Sequence, residues 1–141
     1  MNKYIILDII HMDGYERCFR IKEMDGAREY IIHFLEYDEY VERGEKTKKR
    51  KEGDIIKGKL YIDYVIESKK VISNMNYRQN INRSPHIEAI VKISELIDGS
   101  SVYANSLILD EKILIEFENK INYSIGDMVY VNGSLEMDIE E

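Results

Sequence analysis

Three histidines, a single cysteine and one acid-and-lysine pattern are the residues of this chain whose types could carry covalent or metal chemistry. His11, His33 and His86 are far apart, and no two share the i, i+4 spacing that sets two ligands on one helix face, so no metal centre is expected. His33 falls in a strand pattern and reads as a partly buried sheet residue rather than a base. Cys18 has no activating neighbour in sequence and reads as a small hydrophobe. Asp54 followed by Glu67-Ser68-Lys69 has the acid and Glu-x-Lys elements of a metal-dependent phosphodiesterase, in which paired carboxylates hold Mg²⁺ and the lysine helps activate water. In a chain with 33% charged residues such a match arises readily by chance, so a Mg-dependent nuclease is only a remote alternative. Neither GxxxxGK[ST] nor GxGxxG occurs. The expectation is a binding protein with no catalytic residue and no cofactor.

Charge separates two kinds of binding. The net charge is −7, yet Lys46, Lys48, Lys49, Arg50 and Lys51 form one basic run, and Lys69, Lys70, Arg78 and Arg83 stand in a second acid-free stretch. Setting those nine aside leaves 11 of the 20 basic residues against 27 acidic ones, a net of −16. So acidic a body favours a basic protein partner over a polyanion. An immunity-type inhibitor covering the cationic active site of a toxin is one such protein. The acidic and aromatic segment Glu36-Tyr37-Asp38-Glu39-Tyr40 is the expected contact patch, because tyrosines supply rigid contact area and carboxylates steer association. The plainer alternative is a helix with Tyr37 and Tyr40 packed on the core. Single-stranded nucleic acid is the second ligand class, with Lys48, Lys49, Arg50, Lys51 and Arg78 meeting phosphates and Tyr61, Tyr77 and Tyr103 stacking on bases. Most of the 11 tyrosines suit sheet and core positions equally well.

The elements that must position these residues are strands. From Val129 the odd positions read Val, Val, Gly, Leu, Met, Ile, and the even positions from Asn132 read Asn, Ser, Glu, Asp, a strand with one buried and one wet face. Glu136, Asp138, Glu140 and Glu141 fall on or beyond that wet side. The same pattern follows Gly53-Asp54, with Ile56, Gly58, Leu60, Ile62, Tyr64 and Ile66 in one phase. Upstream, Tyr30-Ile31-Ile32-His33-Phe34 matches Ile113-Leu114-Ile115-Glu116-Phe117, and Asp13-Gly14 matches Asp98-Gly99 as turns. The chain therefore reads as mainly β, an antiparallel barrel or sandwich of two similar four-stranded halves with at most one or two short helices. Residues 1–141 are expected to form one compact domain, with a pseudo-repeat over 1–67 and 86–141 joined by a connection over 68–85. The one good helix candidate is Leu35 to Glu52. The N-terminus reads as a strand rather than a signal peptide, no apolar run could cross a membrane, and a lone cysteine forms no internal disulfide, which together point to the cytoplasm.

Tyr123-Ser124-Ile125-Gly126-Asp127-Met128-Val129-Tyr130-Val131-Asn132-Gly133-Ser134-Leu135 resembles the fourth strand of oligonucleotide/oligosaccharide-binding (OB) barrels, notably single-stranded-DNA-binding proteins, in which a glycine, a Val-x-Val strand and a Gly-x-Leu ending follow a strand like Ile113 to Phe117. The resemblance covers residues 86–139 and implies an OB-like barrel and a single-stranded nucleic-acid ligand. Two features depart from it. No strand follows Ile139, so closure needs a strand from the N-terminal half, and the acidic C-terminal face would repel a phosphate backbone.

Overall fold

The computed structural model describes residues 2–36 and 50–140. Alternating apolar and polar residues form nine strands, and no helix occurs among the described residues. They are β1 (Asn2–Asp13), β2 (Glu16–Glu23), β3 (Glu29–Leu35), β4 (Ile55–Lys70), β5 (Asn76–Arg78), β6 (His86–Asp98), β7 (Ser101–Asn105), β8 (Ile113–Phe117) and β9 (Met128–Ile139). The mainly-β reading holds. The ninth strand is β5, three residues inside the stretch read as a connection, and β4 runs on through Lys70 into that stretch.

The strands close into two rings. In the first, β1 pairs with β2, β2 with β3, β3 with the C-terminal part of β9 in parallel, β9 with the N-terminal part of β4, and β4 with β1. In the second, β6 pairs with β7, β7 with β8, β8 with β4 in parallel, β4 with the N-terminal part of β9, and β9 with β6. Each half thus gives its first three strands to its own ring, while the long strands β4 and β9 begin in one ring and finish in the other. The second ring is closed by β4, between β8 and β9.

Local hydrogen bonding repeats along with the topology. The Gly53 N–H donates to the Ile6 carbonyl at 2.8 Å and the Ile6 N–H to the Asp54 carbonyl at 2.9 Å; Gly126, Ile93 and Asp127 make the same pair at 2.8 and 3.0 Å. Both glycines have φ near +90° (89° and 93°), and each following aspartate accepts a backbone N–H three residues back, from Lys51 at 3.0 Å and Ser124 at 2.9 Å. Glycine is needed there because a Cβ disfavours that angle. In the third strands the matched pentapeptides slip by two residues. The Glu36 N–H bonds Tyr15 as the Phe117 N–H bonds Ser100, so Phe34 corresponds to Ile115 and His33 to Leu114.

The inner glycines have another cause. A Cβ on Gly58 would lie 2.6 Å from the Asp138 carbonyl oxygen, and one on Gly133 would lie 2.6 Å from that of Asp63. At both points β4 and β9 approach too closely for a β-carbon, and each glycine faces the aspartate five residues beyond its counterpart. Around the crossing, Leu60, Ile62, Val131 and Leu135 are buried from both strands, and Phe19, Ile32, Ile87, Val102 and Ile115 belong to the same core. Each such aliphatic side chain contributes roughly 1.5–3 kcal/mol on burial.

Candidate functional site

The alternation that buries Leu60, Ile62, Val102, Ile113, Ile115 and Leu135 turns their neighbours outward onto one face shared by both rings. One cross-strand row runs over that face: His11 opposite Cys18, Cys18 opposite His33, His33 opposite Glu136, Glu136 opposite Tyr61, Tyr61 opposite Leu114 and Leu114 opposite Tyr103. The pair Glu136 and Tyr61 stands at its centre, where the two halves meet. On the second ring's side the row opens into a groove of about 360 Å³ lined by Lys59, Tyr61, Tyr103, Leu114, Glu116 and Asp138. The Lys59 ammonium lies 5.8 Å from the centre of the Tyr103 ring, and Asp138 is the cross-strand neighbour of Lys59.

The groove is acidic in effect as well as composition. Burial first, and then the carboxylates of Glu136, Asp63, Glu116 and Asp138, push the Tyr61 phenol up to about 12. Glu116 is itself raised, by desolvation first and then by Asp63 and Asp98. Beside these groups Tyr64 is 54% exposed and is held at φ 55°, a left-handed conformation that a β-carbon disfavours. It stands where β4 bulges between Asp63 and Glu67, and its N–H donates to the Asp63 carboxylate at 2.7 Å. Its phenol is raised chiefly by Asp63. The arrangement offers aromatic faces and carboxylates to a cation, and it repels phosphate.

Across the centre, the first ring's equivalent positions hold a polar cluster around Glu136 and His33. Glu136 was expected on the wet face; it does point out of its ring, but it is only 4% exposed because β3 and its own neighbours cover it. Its carboxylate takes His33 Nδ1 at 2.7 Å and the Ser134 hydroxyl donates to it at 2.8 Å, while His33 Nε2 lies 3.7 Å from Glu16. Cys18 is buried, and desolvation first, then the Glu136 charge, push its thiol up to about 11, opposite to what a nucleophile needs.

The residues nominated from sequence are dispersed. Tyr37, Asp38, Glu39 and Tyr40 lie outside the described residues, as do Lys48 and Lys49, along with nearly all of the expected helix. Glu36 is 17% exposed and is bound by Arg50 at 2.7 Å and Arg17 at 3.4 Å, which leaves little of its charge for a partner. Arg50 also covers the Phe34 ring at 5.8 Å, Lys51 opens the Gly53 turn, Arg78 pairs with Glu88 at 2.7 Å, and Tyr77 packs on Tyr30. Of the nucleic-acid candidates the fold brings together Tyr61 and Tyr103. Asp54 immediately precedes β4 and its carboxylate is engaged in the turn, whereas Glu67 lies thirteen residues further along the chain, within β4 and on the order of 40 Å away in extended chain, so the two do not converge on a metal. Among the described residues no group of three or more His, Cys, Asp or Glu could hold a metal ion.

Sequence reasoning passed over Lys59, Tyr64, Leu114 and Glu116 as site residues and placed Asp138 only on the wet C-terminal face. The outward phase of Lys59, Leu114 and Glu116 was readable, whereas Tyr64 and Ile66 fell in the apolar phase and are nevertheless 54% and 72% exposed, because the β4 bulge between Asp63 and Glu67 breaks the alternation. The convergence of the groove residues depends on β4 meeting β8 and β9. No protein-family model, curated protein or solved structure matches this chain. Among the described residues no helix is long and apolar enough to cross a membrane.

Proposed function

We propose that this chain is a non-enzymatic binding protein, and that the acidic face around Tyr61 and Tyr103 receives cationic side chains of a basic protein partner. The observation that carries this reading is the groove itself, in which two tyrosines and a leucine are ringed by Glu116 and Asp138, with Glu136 and Asp63 close enough to act on Tyr61. Such a surface pairs rigid aromatic contact area with charges that steer a cationic partner. An immunity-type inhibitor of a basic toxin in the cytoplasm is the role it suits, because a toxin that works on polyanions presents the complementary charge. Two five-stranded closed rings support an OB-like architecture, and in OB barrels the face of the second and third strands is the binding face. In the second ring those strands are β7 and β8, which supply Tyr103, Leu114 and Glu116 to the groove.

Titration calorimetry with a short oligoarginine peptide, and in parallel with a single-stranded oligonucleotide, separates the two ligand classes. The peptide is expected to bind with an affinity that falls as salt is raised, and the combined change of Glu116→Gln and Asp138→Asn to weaken it roughly tenfold. Tight, salt-sensitive oligonucleotide binding with no response to the peptide would overturn the proposal in favour of the nucleic-acid reading.

A further inference from the structure

We infer that the group this groove is built to take is an arginine side chain of the partner, and that Lys59 is the chain's own occupant of that cation position, displaced on docking; the inference rests on the protein-binding reading above. The Lys59 ammonium already makes the contact a bound cation would make, 5.8 Å from the Tyr103 ring centre and on the strand position opposite Asp138. One lysine against Glu116 and Asp138, with Asp63 and Glu136 also acting on Tyr61, leaves the pocket with negative charge to spare. A guanidinium uses such a site better than an ammonium. It is more weakly hydrated, stacks flat on an aromatic face, and binds carboxylates through two N–H groups at once. At about 360 Å³ the groove is at the small end of the ~300–1,000 Å³ range of ligand pockets, which suits one inserted side chain rather than a helix or a strand. Lys59 can leave because its head is a point charge on a flexible four-carbon stem at a half-buried outer position, whereas Tyr61, Tyr103 and Leu114 are fixed by the sheet.

The test compares Lys59→Met with Lys57→Met by titration calorimetry, using oligoarginine and oligolysine peptides of equal length. Both variants remove one positive charge from the outer face of β4, but Lys57 is paired with Glu140 at 3.1 Å and does not line the groove. The unmodified protein should prefer oligoarginine, and Lys59→Met should tighten oligoarginine roughly three- to tenfold while Lys57→Met changes it less than twofold. Equal tightening by both variants would show a general charge effect and overturn the role of Lys59. Unchanged or weaker binding in Lys59→Met would do the same, leaving the groove reading intact so long as Glu116→Gln and Asp138→Asn still weaken the peptide. Equal affinity for the two peptides in the unmodified protein would overturn the arginine assignment. Loss of all response to Glu116→Gln and Asp138→Asn, or no binding to begin with, would remove the groove reading and this inference with it.

Discussion

Replacing Gly133 with alanine is expected to destabilise the protein by about 3 kcal/mol, lowering the midpoint of thermal unfolding by about 10 °C. The new Cβ would lie 2.6 Å from the Asp63 carbonyl oxygen, 3.0 Å from Val65 Cγ2 and 3.1 Å from Ile62 Cγ2. The oxygen belongs to the backbone and both methyls belong to β-branched side chains with little rotamer freedom, so relief requires β4 and β9 to move apart where both rings depend on them. Alanine does lower the conformational entropy of the unfolded chain, but that gain is only about 0.5–1 kcal/mol. Gly58→Ala makes a useful comparison. Its Cβ meets the Asp138 oxygen at the same 2.6 Å, but the other neighbours are Met137 Cγ and Sδ at 2.8 and 2.9 Å, and β9 ends at Ile139, where the strand can yield. Chemical denaturation of the two variants should therefore show the larger loss at Gly133; a smaller loss there than at Gly58 would mean that the crossing is not as close as described.

Glu136→Ala is expected to cost about 2–3 kcal/mol, because it leaves His33 Nδ1 and the Ser134 hydroxyl without the buried acceptor they share. Glu136→Gln keeps a polar group of the same shape and should cost about 1 kcal/mol. It should also move Tyr61. The Glu136 charge ranks after burial among the causes that raise the Tyr61 phenol to about 12, so its removal lowers that value toward the ordinary 10.0 without reaching it. The native phenol holds its proton at a pH where the unfolded chain gives it up. Its contribution to stability is therefore complete below pH 10 and is lost as pH rises through about 12. An alkaline titration followed at the Tyr61 ring resonances by NMR, with denaturation followed over the same range, should show a lower Tyr61 midpoint and a shallower loss of stability in Glu136→Gln, while Tyr30, which burial raises further still, stays above it. An unchanged Tyr61 midpoint would separate Tyr61 from Glu136.

Much of this fold is legible in the amino-acid order. Period-two alternation places the strand faces except beyond the β4 bulge, where Val65 turns inward and Tyr64 and Ile66 turn out, and the paired Gly53-Asp54 and Gly126-Asp127 turns match down to their hydrogen bonds, because a positive φ beside an aspartate acceptor is a local requirement that a short motif can record. Partner choice is another matter. Alternation is the same whether β4 finishes in its own ring or in the other one, so the exchange of β4 and β9 depends on long-range pairing that no local pattern encodes. The same reason hid Glu136, whose outward phase was read as exposure although a neighbouring strand covers it. Tyr64 carried no turn signal, since a tyrosine rather than glycine or asparagine holds the left-handed bulge. Tyr61 and Tyr103 were individually recognisable as outward aromatics. The carboxylates of Glu116 and Asp138 reach them from β8 and β9, a convergence that local alternation does not record.

The proposed function is most directly tested by following the ring resonances of the tyrosines in a two-dimensional NMR titration with oligoarginine at neutral pH. Shifts centred on Tyr61 and Tyr103, with the Leu114 methyls moving alongside them and Tyr77 staying still, are the expected result, because Tyr77 is packed on Tyr30 away from the groove. Saturating peptide that leaves Tyr61 and Tyr103 unmoved, or an oligonucleotide that moves them where the peptide does not, would contradict a cation-binding groove.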